Sequence, residues 1–98
     1  MKIPIRLNKR KLEAFCKKYH IDYLALFGSI LTSKFSKGSD VDILVKFEKK
    51  HIPHLIAFVS IESELSDIIG RTVDLRTPND LSPHFRDDVL SKAKIIYG

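Results

Sequence analysis

The chain contains no tryptophan, a single cysteine, and no apolar run near the roughly 20 residues that cross a bilayer. One thiol, Cys16, cannot close an internal disulfide, so a reducing, cytoplasmic setting is expected. The opening Met1-Lys2-Ile3-Pro4-Ile5-Arg6 lacks the long apolar stretch of a secretory signal, and neither a membrane span nor a leader is expected. Stacking aromatics are scarce, and the Tyr and Phe mostly sit inside apolar runs. Direct nucleic-acid binding is therefore not expected. Repeats, low-complexity tracts and linkers are missing as well, and residues 1–98 are expected to fold as one domain.

Hydrophobic residues make up 44% and charged residues 30%, the balance of a packed chain rather than a disordered one. Seventeen Lys and Arg against twelve Asp and Glu leave a net charge of +5. That excess suits an anionic ligand such as a nucleotide, or an acidic protein surface. It equally suits an ordinary solvated exterior.

Periodicity gives alternating helices and strands. Asn8 is placed to cap a helix reaching about His20, with Leu12, Phe15, Cys16 and Tyr19 on one stripe. Tyr23–Phe27 reads as a buried strand stopped by Gly28, followed by a short helix from Ser29 to Phe35 and a turn at Ser36–Ser39. A second strand spans Val41–Phe47. A long helix follows, with Pro53 in its first turn, Phe58, Ile61, Leu65 and Ile68 as its apolar face, and Gly70 as its cap. Thr72–Arg76 is a third strand, Ser82-Pro83 opens a helix to about Lys92, and Ile95–Tyr97 is a last short strand. The fold class is α/β, a small mixed sheet of three to four strands flanked by helices.

Chemistry concentrates in Asp40-Val41-Asp42. Residues two apart in a strand share a face, so both carboxylates project together. Aspartate is depleted in strands, and adjacent carboxylates repel. A hard cation between them relieves that repulsion, and Mg²⁺ is commonly held by one or two carboxylates with substrate phosphates. Plain solvation of a turn residue and a strand end would leave the same pattern. Gly28-Ser29 follows the first strand, where backbone N–H groups and the Ser29 hydroxyl suit a phosphate. Ten residues separate Ser29 from Asp40, enough for one excursion that returns beside the first strand. Phosphate cradle and metal pair would then lie at neighbouring strand ends, where α/β sheets bind ligands. Val73 and Leu75 face a core and leave Asp74 on the other side, a third carboxylate for a two-metal site with ions roughly 3.5–4 Å apart.

Leu26-Phe27-Gly28-Ser29, ten residues, then Asp40-Val41-Asp42 resembles the signature of the DNA polymerase beta-like nucleotidyltransferase superfamily. Gly70-Arg71-Thr72-Val73-Asp74-Leu75, then Leu81-Ser82-Pro83 and the closing Ile96-Tyr97-Gly98, resemble the minimal nucleotidyltransferase (MNT) proteins. The resemblance implies that Asp40, Asp42 and Asp74 are the catalytic and metal residues, with two Mg²⁺ ions, while Gly28 and Ser29 grip the triphosphate of ATP. It further implies an antitoxin that transfers AMP to a tyrosine of a HEPN-domain toxin, its partner. The chain departs from the family after Gly-Ser, with Ile30, Leu31 and Thr32 where arginines are frequent; Lys34, Lys37, Arg71 and Arg76 are candidate substitutes. Two other functions compete: an antitoxin acting by contact with a vestigial site, and a nucleotidyltransferase for a small molecule or RNA. Against the latter, 98 residues leave little room for a dedicated pocket. His20, His51, His54 and His84 show no metal-ligand spacing and are expected as surface or capping residues.

Overall fold

The computed structural model describes residues 3–98. Helix α1, Lys9–Lys18, starts where the Asn8 side chain accepts from the Lys11 N–H at 3.1 Å. It buries Leu12, Phe15 and Cys16. Strand β1, Ile21–Phe27, and strand β2, Val41–Phe47, pair antiparallel. Helix α2 spans Leu55–Ile69, and the parallel partner of β2 is β3, Val73–Arg76. Helix α3, Pro83–Lys92, leads into β4, Lys94–Tyr97, which pairs antiparallel with β1. The sheet order is β3-β2-β1-β4, a mixed four-stranded sheet in agreement with the α/β expectation.

The main core lies on one face of the sheet. Leu24, Leu26, Val41, Ile43, Val45, Val73 and Leu75 pack with Phe15 and Cys16 of α1 and with Ile61, Leu65 and Ile69 of α2. Side chains alternate along a strand, so Asp42 and Asp74 point to the opposite face. Helix α2 also seals the sheet edge. Ser66 Oγ accepts from the Val73 N–H at 3.0 Å, and Glu62 Oε2 from the Leu75 N–H at 2.8 Å. These bonds satisfy the unpaired edge of β3 and lock its position beside β2.

Three local expectations change. The helix read over Ser29–Phe35 is a single 3₁₀ turn, Gly28–Leu31. The Thr32 hydroxyl donates to the Ser29 carbonyl at 2.8 Å and accepts from the Lys34 N–H at 3.1 Å, diverting backbone groups that a helix would use. The long helix begins at Leu55, capped by His54 Nδ1 accepting from the Ala57 N–H at 3.3 Å, which leaves Pro53 outside it. Its last buried residue is Ile69, with Ile68 only partly covered, while Gly70 at φ 79° ends the helix as read from the sequence.

Candidate active site

Strand β2 begins one residue after Asp40, and Asp42 is its second residue. In the parallel register Asp42 lies opposite Asp74, and in the antiparallel register it lies opposite Phe27, immediately before Gly28. Two separate strand pairings therefore gather Gly28, Asp42 and Asp74 at one end of the sheet.

Gly28 and Asp42 are in direct contact. Gly28 has φ +76°, and a methyl group built on it would run into the Asp42 carboxylate, with Asp42 Cγ 3.1 Å away. Glycine is required twice over, for the left-handed backbone and for the space. Ser29 follows within the turn, half-buried, and Ile30 anchors the turn in the core at 2% exposure.

The electrostatics show a shortage of positive charge. Burial pushes the Asp42 carboxyl above its ordinary value, Asp74 and then Asp40 push it further, and Arg76 pulls it back. Arg76 is drawn to Asp74, Nε to Oδ1 at 3.1 Å and Nη2 to Oδ2 at 3.3 Å. Among the described residues, the trio with donor atoms all within 4.8 Å of one another is His20, Glu48 and His51, not the aspartates. Three hard-oxygen donors that raise the proton affinity of the central one fit a divalent hard cation such as Mg²⁺.

Neither arginine proposed as a phosphate substitute is free. Arg76 is engaged as described. The Arg71 Nη2 donates to the carbonyls of Ser36, Lys37 and Ser39 at 2.6, 3.1 and 2.7 Å, and its guanidinium lies 4.5 Å from the Phe35 ring centre. It clamps the loop that delivers Asp40. Lys34 and Lys37 are exposed on that same segment.

Sequence reasoning missed the groove beside Gly28. It holds about 600 Å³ between the 3₁₀ turn and α3, with Phe27, Leu31 and Thr32 on one side and Asp88, Val89 and Lys92 on the other. Its volume lies in the range of small-ligand sites. No local pattern marked it, because α3 reads as an ordinary polar helix. All four histidines lie at the surface as expected, with one feature the sequence did not mark. His54 caps α2 and His84 is exposed, as expected, but His20 and His51 are stacked on each other beside Glu48.

Known proteins resemble this chain in sequence and in fold. A protein adenylyltransferase, MntA, of Thermococcus cleftensis is 34% identical over 74 residues, covering 76% of this chain and 73% of that protein. A crystal structure of a toxin–antitoxin with AMP-PNP superposes with TM-score 0.73 at 23% identity, covering 94% of this chain and 74% of that one. A structure of a tri-AMPylated Shewanella oneidensis HEPN toxin in complex with its MNT antitoxin superposes with TM-score 0.64 at 21% identity, covering 92% and 69%. At those identities the two structures establish the shared fold. Residues 10–98 match the family described as Polymerase beta, Nucleotidyltransferase, and the chain belongs to that nucleotidyltransferase family.

Proposed function

We propose that the chain is the antitoxin of a HEPN/MNT pair and transfers AMP from ATP to a tyrosine hydroxyl of its HEPN-domain toxin. The observation that carries this reading is the meeting of Gly28, Asp42 and Asp74 at one sheet end, with Asp42 against the glycine and opposite the second aspartate. Relatives support the acceptor: the Thermococcus protein is named a protein adenylyltransferase, and the Shewanella complex pairs an MNT antitoxin with an AMPylated HEPN toxin. Ile52, Leu55, Ile56 and Val59 also leave an exposed apolar surface, at 71, 77, 77 and 53% exposure, of the kind that meets a protein.

In this reading Gly28 and Ser29 receive the triphosphate, and the neighbouring groove takes the nucleoside. Asp40 and Asp42, completed by Asp74, would hold two Mg²⁺ ions, which would supply the positive charge that neutralises the phosphates and the leaving pyrophosphate. Asp74 would also take the tyrosine proton, one of its carboxylate oxygens giving up its bond to Arg76 as the acceptor enters. The tyrosine oxygen bonds to the α-phosphorus, and the bond from that phosphorus to the bridging oxygen breaks. Positioning and charge neutralisation suffice for such a step. ATP as donor sets the reaction in the cytoplasm.

Incubation with the HEPN partner and ATP labelled on either the α- or the γ-phosphate tests this. Label on the partner from α-labelled ATP alone establishes adenylyl transfer. Label from the γ-position, or none with an intact complex, refutes it. The second outcome supports contact-only neutralisation, the reading favoured by Ile30-Leu31-Thr32 in place of arginines and by the engagement of Arg71 and Arg76.

A further inference from the structure

The opposite end of the sheet carries a separate cluster. His20 ends the turn before β1, and Glu48 and His51 follow β2, so all three lie roughly 20 Å along the strands from the aspartates. The backbone ties them together. His20 O accepts from the Glu48 N–H at 2.9 Å, and Glu48 O accepts from the His51 N–H at 2.9 Å. His20 is the one non-glycine residue at positive φ among the described residues, at 54°, a left-handed conformation that histidine adopts more readily than most side chains.

The side chains converge as the backbone does. His20 Nδ1 lies 3.4 Å from Glu48 Oε2, and the His20 and His51 rings stack at 3.6 Å with planes 12° apart. One donor atom from each residue lies within 4.8 Å of the others. Tetrahedral zinc, with ligand bonds of about 2.0–2.2 Å, sets its ligand atoms roughly 3.3–3.5 Å apart. The His20–Glu48 pair already has that spacing. The stacked rings cannot both aim a nitrogen lone pair at one ion, but His51 is exposed and has room to rotate out of the stack.

We propose that His20, Glu48 and His51 form a transition-metal site, distinct from the aspartates, that takes Zn²⁺ or a similar borderline ion with water in the open position. Two imidazoles and one carboxylate select such an ion over Mg²⁺, which prefers oxygen donors and near-octahedral geometry. A bound ion joins the α1–β1 turn to the β2–α2 connection and stabilises the folded chain through its preference for that state. The site borders an open groove of about 400 Å³ that Lys18, Tyr19 and Ala57 also line.

Calorimetric titration of the metal-free chain with Zn²⁺ tests the site. The expected result is about one saturable equivalent in the wild type, lost in His51→Gln and Glu48→Gln and retained in Asp42→Asn. Imidazole nitrogen NMR of the wild type is the companion measurement, with the His20 and His51 resonances shifting on Zn²⁺ addition and unmoved by Mg²⁺. Absence of saturable binding, binding unchanged in His51→Gln, binding abolished in Asp42→Asn, or histidine resonances that ignore zinc would each overturn the proposal. The NMR result decides the matter even where a variant does not fold.

Discussion

Asp42 and Asp74 lie directly opposite one another in the parallel pairing of β2 with β3, and the first carboxyl is held above its ordinary value by burial and by the second. The folded chain therefore keeps a proton on Asp42 at pH values where the unfolded chain has released it. Across that window, which starts near the ordinary carboxylate range of about pH 4 and ends above the folded value, stability falls as pH rises. Asp42→Asn removes this component, and saturating Mg²⁺ suppresses it in the wild type. Urea unfolding at several pH values checks both; equal pH dependence in wild type and Asp42→Asn contradicts the electrostatic account.

Gly28→Ala meets two obstacles, a left-handed backbone and the Asp42 carboxylate. The expected cost is about 1–3 kcal/mol of stability, with transfer reduced because Asp42 is displaced. Urea melts and transfer rates measured on the same preparation show whether both effects occur. A fully active, equally stable Gly28→Ala chain is incompatible with the described contact.

Arg71 is a positioning residue, with one guanidinium nitrogen serving three carbonyls of the loop before Asp40. Arg71→Ala is expected to loosen residues 36–39 and raise the Mg²⁺ concentration needed for half-maximal transfer. Amide exchange accelerates in the same segment. An unchanged Mg²⁺ requirement, alongside unchanged exchange, contradicts this role.

How much of this was legible in the sequence varies residue by residue. Asp40-x-Asp42, the glycine after β1 and the alternation around Asp74 are local patterns, and strand geometry alone assigns their faces. The register that sets Asp42 against Asp74 depends on α2, whose Glu62 and Ser66 bond to the edge of β3, and no short window encodes that. Arg71 reaches back 35 residues to Ser36, so its clamp was indistinguishable from a free cation. The Ser29–Phe35 helix failed because Thr32 competes for its own backbone, a choice that helical periodicity does not register.

Cys16 offers a probe of the fold itself. It is fully buried, and burial pushes its thiol up to about 12. A thiol held protonated and covered reacts only when the chain opens. Labelling by a disulfide reagent is expected to be slow in the native state and to accelerate through the urea transition, in step with the loss of circular dichroism. Rapid labelling of the native chain contradicts the packing of α1 on the sheet.

The most direct test of the central claim is intact-mass spectrometry of the HEPN partner after incubation with ATP, Mg²⁺ and either the wild-type chain or Asp42→Asn. The account predicts one or more adenylyl additions on partner tyrosines with the wild type and none with the variant. Equal modification by both proteins, or an unmodified partner that wild type and variant neutralise equally well, contradicts it.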